Sequence, residues 1–455
     1  MRRPAGGRYG LVIFAIGTAW AVLYLWHGGH LYRADVWEET AIGTHLARGH
    51  GFASPFDRSA DAPPTSWSPP VYPLLVAAVF RAAGVESAAS IAVLKGVNAL
   101  SYGAVAAGLY QLGRRAFWPA AGLGAAALFL AHPLFLRWVN FVWDMYVALA
   151  LFVWLVLAAV RMSHGRPGAL RVGLLGAGLG VLMLTNASYV LTAPLVAAVA
   201  TTAHDGRARA GWLAAAIVGF CVVLAPWTVR NTLVFGRPSF VRGGVNFELW
   251  YANRPGGTGW LNSESFGQHP GSNARERRLL LDMGETRYFA ECGRRFRDEV
   301  GRDPRAFAGR CVNRFAYLFL SEPGERSYHP FMPDVRWRGY VVDRVLVNAL
   351  LTIGGLAGAW AAWRLRFGAT WVIGLALLAG LPFVPSSVWD RQTLPLRALL
   401  VVMAGFLVAA VAHRLMRGAW PAPAVAAPDM GVPRAAGEFA GGRDVPGPHL
   451  EGDRR

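Results

Sequence analysis

Three carboxylates, Asp35, Glu38 and Glu39, stand together directly after the first apolar segment of the chain. Asp35 and Glu38 are three residues apart, so one helical turn would set them on a common face. At a membrane boundary a partly desolvated carboxylate has its pKa drawn toward neutrality, and such a group is suited to accept a proton as a general base. An acidic, solvated helix start is the plainer reading of the same residues. More polar groups recur where apolar segments end: Asn140 and Asp144, Asn186, Arg230 and Asn231, and Asp390 and Arg391. Ionisable residues at span ends are costly, and several elements supplying them at one face imply a shared cavity.

Each of these groups also has a structural explanation. Asp144 suits the positive end of a helix dipole, Arg230 and Arg391 suit lipid headgroups, and Asn186 suits a turn. His45 and His50 lack the tight spacing of a metal site and read as surface histidines. No metal ligand is therefore assigned; a divalent metal is neither indicated nor excluded, and the cofactor stays unknown. No Gly-x-x-x-x-Gly-Lys-Ser/Thr loop occurs, which argues against nucleotide-driven transport or a nucleotide-bound donor in the cytosol.

The elements that must position these residues are membrane helices. The chain has 455 residues, 54% of them hydrophobic, with 18 Trp and 24 Phe, a profile rare for a soluble protein of this length. Its net charge of +18 comes almost wholly from arginine scattered over many short loops, which encodes topology and contact with anionic lipid, not a nucleic-acid groove. Apolar segments sit at 9–26, 88–112, 119–136, 140–160, 171–202, 212–229, 341–361, 369–385 and 395–414. The first follows Arg2, Arg3 and Arg8 without a small-residue cleavage site and reads as a retained anchor.

Arginine-rich short loops share the cytoplasmic side only if 171–202 crosses twice, breaking near Thr185-Asn186, and 70–83 does not cross. The expectation is an all-α polytopic protein with about ten transmembrane helices and both termini cytoplasmic. Residues 70–83 then form a juxtamembrane helix at the outer interface, anchored by Trp67 and Tyr72. Two segments, 27–87 and 230–340, lie outside. The second carries 18 Arg and 12 Asp or Glu, which long loops tolerate, and its run from Ala274 to Phe319 reads as a small helical cap broken at Asp303-Pro304. The membrane domain covers 1–415, and 416–455 read as a disordered cytoplasmic tail rich in Pro, Gly and Ala. Cys221 reads as a core residue, while Cys292 and Cys311 fall in the external cap, where oxidation would allow them to pair.

Several stretches carry a family resemblance. The first external loop runs His-Leu-Ala-Arg-Gly-His-Gly-Phe from His45 and then Pro-Thr-Ser-Trp-Ser-Pro-Pro-Val-Tyr-Pro from Pro64. Further on come Ala225-Pro226-Trp227-Thr228-Val229-Arg230-Asn231 and Asn246-Phe247-Glu248-Leu249-Trp250. In this order they resemble the C-type (GT-C) membrane glycosyltransferases, in particular bacterial relatives of the protein O-mannosyltransferases and of the lipid A aminoarabinose transferase.

The resemblance implies an external active site, a polyprenyl-phosphate-linked sugar as donor, an inverting transfer, and an acidic base in the first external loop. Many members open that loop with Asp-Glu where this chain has Ala34-Asp35, and other relatives have a single Glu matching Glu38, so Asp35 and Glu38 both stand as catalytic candidates. Asp144 matches an acidic position at the head of the fourth span. Where aminoarabinose transferases show Thr-Lys, this chain has Thr185-Asn186, which leaves donor phosphate to arginines such as Arg230 or Arg391. Tyr72, Asn231 and Glu248 complete the candidate substrate-binding set. The expected setting is a bacterial inner membrane with the site facing the periplasm, an acceptor of unknown class, lipid as the surrounding partner and no nucleic acid. A transporter of lipid-linked sugars, or a GT-C fold that has lost activity, are the alternatives.

Overall fold

In the computed structural model the described residues are 6–32, 37–165, 167–203, 205–257, 267–320 and 346–422. Asp35 and the expected tail beyond residue 422 lie outside them. Among the described residues every regular element is a helix, and the sole strand-like feature is an isolated bridge between Ala53 and Pro64.

Four single helices are long and apolar enough to cross a bilayer: α1 (Gly6–His27), α4 (Ala88–Ala116), α7 (Met145–Ser163) and α10 (Gly206–Phe235). A fifth span, Asp390–Arg417, is a short 3-10 turn continued by α17 (Leu394–Arg417). A sixth is the bent pair α5 (Pro119–Ala131) and α6 (Pro133–Arg137), which turns by 56°. The bend has a local cause: Pro133 brings no N–H, and His132 before it adopts φ −81°, ψ 116°, outside the helical region.

The remaining apolar helices are shorter. They are α3 (Val71–Ala83), α8 (Ala169–Thr185), α9 (Ala193–Ala200), α15 (Val347–Arg364) and α16 (Trp371–Gly380). Among the described residues length and composition thus support five or six spans, fewer than the ten expected from the sequence. The expected break within 171–202 is present: α8 ends at Thr185, Asn186 is extended, and a 3-10 turn at Ala187–Leu191 leads into α9.

Helix α17 is the centre of the bundle, buried from Leu394 through Phe406 and flanked by α5, α15 and α16. Small residues permit the closest crossings. A methyl group on Gly176 of α8 would collide with the carbonyl of Ala216 in α10, and one on Gly219 of α10 with the carbonyl of Gly173. The far side of α10 has no such neighbour, so Val218, Val222 and Val229 are exposed toward lipid. Cys221 is exposed on this helix too, which corrects its reading as a core residue.

The first external segment folds as two short helices, α2 (Glu38–Arg48) and α3, packed on each other. Trp37 caps α2 in extended backbone, its N–H donating to the hydroxyl of Thr40 at 2.7 Å, and Gly49 stops the helix with φ 86°. Because α3 lies against α2 and α4, Tyr72 turns inward beside Val76, Phe80 and Leu94; it is not an interfacial anchor. Trp67 is likewise buried.

The cap consists of α11 (Val245–Asn253), α12 (Ala274–Met283), α13 (Glu285–Arg302) and α14 (Pro304–Leu320). It breaks at Asp303-Pro304 as expected, and the Asp303 carboxylate accepts from the Ala306 N–H at 2.9 Å. Cys292 is buried on α13 and Cys311 lies on α14; both are free thiols, so the pairing that oxidation would allow is not formed.

Candidate functional site

Three of the polar groups anticipated at separate span ends, Asp144, Asn186 and Arg391, meet Glu38 in one cavity of about 480 Å³ between the bundle and the cap. Helix α2 contributes Glu38 and Glu39 from its first turn, where the helix N-terminus favours negative charge. The head of α7 contributes Trp143 and Asp144, the turn after α8 contributes Asn186, and α11 contributes Glu248. Arg391 enters from the 3-10 turn that starts the last span. Trp67, Ser68 and Pro69 come from the proline-rich part of the first loop and cover one side, and Pro382 and Pro385 the other.

Charge is uneven in this space. Glu248 is matched by Arg242, Nη2 to Oε1 at 2.9 Å. Asp144 accepts from the Asn186 amide at 3.0 Å. Glu38, Glu39 and Asp144 then share the field of Arg391, whose guanidinium carbon lies 4.3 Å from the Trp143 ring centre and 4.9 Å from that of Trp389. Flat guanidinium groups stack on indole faces in this way, which fixes the cation while leaving its edge open.

Burial raises the pKa of Glu38 above the ordinary carboxylate range; the amides at the start of α2, then Arg391, pull it back. Burial, followed by repulsion from Glu38, pushes Glu39 up to about 7. Both carboxylates therefore hold a proton more strongly than exposed ones do, the direction that makes a carboxylate a better general base.

The walls also carry polar atoms without hydrogen-bond partners among the described residues: Trp143 Nε1, Tyr251 Oη and Ser387 Oγ, each buried. Buried polar atoms are normally paired, so these are available to a hydroxylated or anionic ligand. No group of three or more His, Cys, Asp or Glu among the described residues is placed to hold a metal ion.

Not every residue expected here is here. Arg230 and Asn231 lie behind the first loop, where Arg230 donates to the carbonyls of Thr65 at 2.7 Å and Phe52 at 3.2 Å and rests on Phe52 and Trp227. Asn231 is buried and donates to the Ser239 carbonyl at 3.0 Å. Their work is to brace the loop that carries Trp67, and Tyr72 lies in the core beneath α2. Asn140 accepts from the buried Lys95 at 3.2 Å. Asp390 is buried beside the cavity-lining Arg391. His45 is buried, its Nε2 2.7 Å from the Asp57 carbonyl, which corrects its reading as a surface histidine.

Conversely, Glu39, which was not among the expected site residues, lines the cavity. Trp143, Trp389, Arg242 and His269 were missed. The two tryptophans adjoin Asp144 and the Asp390-Arg391 pair, a signal that sequence reasoning could have used; nothing in the sequence around His269 marks it.

The wall at 382–387 is held from behind by Arg314 of α14, fully buried. Its guanidinium donates to the carbonyls of Val384 and Pro385, each at 3.2 Å, to the Ala252 carbonyl at 2.8 Å and to Asn253 Oδ1 at 2.9 Å. One side chain so ties the cap to α11 and to the segment leading into Arg391.

No protein-family model matches the chain, and no curated protein matches it in sequence. Among solved structures it is similar to the Archaeoglobus fulgidus oligosaccharyltransferase in complex with zinc and sulfate, at 13% identity and a TM-score of 0.52, over 89% of this chain and 49% of that one. It is similar to the same enzyme tethered to an acceptor peptide containing the NVT sequon, at 14% identity and a TM-score of 0.50, over 90% and 50% of the two chains. ArnT from Cupriavidus metallidurans bound to undecaprenyl phosphate aligns over 89% of this chain and 78% of that one, at 15% identity and a TM-score of 0.39. The chain spans about half the length of the oligosaccharyltransferase. The oligosaccharyltransferase likeness shows a shared fold, the GT-C architecture expected from the resemblance.

Proposed function

We propose that this protein is a membrane glycosyltransferase that moves a sugar from a polyprenyl-phosphate donor to a hydroxyl-bearing acceptor, with Glu38 as general base and Arg391 at the donor phosphate. The observation that carries the reading is that Glu38 and Arg391, packed on the Trp143 indole, line one cavity and that Arg391 acts electrostatically on Glu38. In the reaction, the bond between the anomeric carbon and the phosphate oxygen breaks as the acceptor oxygen bonds to that carbon from the opposite side. The acceptor proton passes to Glu38, and the charge released on the phosphate meets Arg391. Arg230, the other cation expected at the phosphate, is engaged by backbone carbonyls, which favours Arg391 for this role.

Glu39 and Asp144 would shape the sugar pocket, with Trp143 Nε1, Tyr251 Oη and Ser387 Oγ as hydrogen-bond partners for its hydroxyls. Pro382, Phe383 and Pro385 give the cavity an apolar wall suited to the lipid tail of the donor. On the ten-span topology with both termini cytoplasmic, read from the arginine-rich short loops, this cavity would face the outer side of a bacterial inner membrane.

Incubating membranes with a labelled polyprenyl-phosphate sugar tests the chemistry. Glu38→Gln should lower transfer by at least ~100-fold, the scale of a general base, whereas Asp35→Asn should retain most of it. Full transfer by Glu38→Gln removes Glu38 from the role, and movement of donor lipid without product favours a transporter. Orientation is tested by labelling Ser59→Cys, an exposed site, in a background without the three native cysteines. Modification from the cytoplasmic side alone would reverse the topology.

A further inference from the structure

His269 lies in the turn before α12, outside every motif of the chain, yet it is built into the cavity wall. Its ring is enclosed by four aromatic rings, Phe56, Trp67, Phe247 and Tyr251, with centroids 5.7, 5.8, 5.4 and 5.6 Å away. Two nitrogen contacts orient it within this box. Nδ1 accepts the backbone N–H of Gly271 at 3.1 Å, and Nε2 lies 3.4 Å from Oε1 of Glu38. The turn itself is pinned by the Ser272 and Asn273 amides, which donate to the His269 carbonyl at 2.8 and 2.7 Å.

The protonation pattern follows from these contacts. A neutral imidazole carries one N–H, and a nitrogen that accepts a hydrogen bond cannot also hold the proton. With Nδ1 occupied as an acceptor, the proton resides on Nε2, the nitrogen that lies 3.4 Å from Glu38. Burial among aromatic rings holds the pKa of His269 down to about 4, so the ring is neutral at physiological pH and its 3.4 Å approach to Glu38 is not an ion pair. Other charges face the pair from every side: Glu39 beside Glu38 on α2, Arg242 and Glu248 from the cap side, and Arg391 from the last span. All of them remain when His269 is changed.

We propose that His269 is a positioning residue for Glu38, its neutral Nε2–H binding one carboxylate oxygen so that the other is presented to the acceptor hydroxyl. This rests on Glu38 being the base. The imidazole keeps its proton throughout, and the proton of the acceptor goes to Glu38. A donor to the charged form of a carboxylate favours ionisation, so His269 offsets part of what burial does to Glu38.

The test uses the full-length protein in nanodiscs and three variants. His269→Phe fills the aromatic box without a donor, His269→Gln restores an N–H, and Glu38→Gln assigns the Glu38 signal. The protonated-carboxyl infrared band of Glu38 is titrated in the wild type, His269→Phe and His269→Gln. The expected midpoint rises by ~1 pH unit in His269→Phe and returns toward wild type in His269→Gln. The acid limb of the transfer rate should move in the same direction.

An unchanged midpoint in a folded His269→Phe overturns the inference even if transfer is robust. A shifted midpoint supports the contact even if no sugar is transferred, and that outcome would count against the proposed function alone. Should His269→Phe fail to fold, nitrogen-15 spectra of the wild-type histidines decide: an Nε2–H tautomer for His269 supports the assignment, and Nδ1–H overturns it.

Discussion

The side-chain amide of Asn186 donates to Oδ2 of Asp144 across 3.0 Å, joining the turn after α8 to the first residue before α7. Its carbonyl oxygen accepts from the Ser188 N–H, also at 3.0 Å, so the amide is locked in one orientation. The carboxylate that would have been a helix cap is instead held sideways, toward the cavity.

Asn186→Leu should leave Asp144 without this donor and release the turn. A loss of about 1–3 kcal/mol is expected, the cost of an unpaired buried polar group. Thermal unfolding in detergent measures it, and Asn186→Ser, too short to span the gap, should resemble Asn186→Leu.

Stability should also depend on Glu39 with a definite sign. Its folded-state pKa is raised from 4.5 to about 7, so the folded protein binds more protons than the unfolded chain between these values. Stability contributed by Glu39 is full below about pH 4.5 and is lost as pH rises through about 7. Glu39→Gln should therefore match the wild type at low pH and exceed it above neutrality, by on the order of 1–3 kcal/mol. Unfolding curves collected across that range would show parallel profiles if Glu39 were in truth solvated.

Arg391 packs against two neighbouring indoles, which a lysine cannot reproduce. Arg391→Ala is expected to lower transfer by ~100-fold or more, and Arg391→Lys to recover only part of it. Kinetics with the donor lipid distinguish this from a lipid-anchoring role, under which both variants would keep their turnover.

The cap is latched to the first loop by Glu285, whose carboxylate accepts from the Thr65 hydroxyl at 2.6 Å, from the Ser66 N–H at 2.7 Å and from the Ser66 hydroxyl. Charge-assisted bonds of this kind are stronger than neutral ones. Glu285→Ala should cost about 2–4 kcal/mol and loosen residues 65–69, which line the cavity or adjoin its lining. Hydrogen exchange at these amides is the direct readout, with little change expected in α17.

Much of the architecture was legible from residue order. Twenty-residue apolar runs must be helical in a bilayer, because no water is present to satisfy a bare backbone. Asp303-Pro304 had to break the cap, since Pro304 cannot continue a preceding helix, and Thr185-Asn186 marked the turn between α8 and α9. Glu38, Asp144 and Arg391 were identifiable as charges where charges are costly, and Glu248 through the motif that carries the resemblance.

Sequence by itself thus determined an all-helical membrane chain and the places where polar groups leave it. Only the tertiary structure decided which of them share a space, because that depends on how helices cross and how external segments fold back. Arg230 and Arg391 are alike in sequence, each a cation at the end of an apolar run. One is consumed by the carbonyls of Thr65 and Phe52, and the other opens onto the cavity. Glu39 turned inward because α2 lies against the bundle, and His269 reached Glu38 across more than two hundred residues of chain. No local pattern encodes such a meeting; it arises from packing the cap onto the spans.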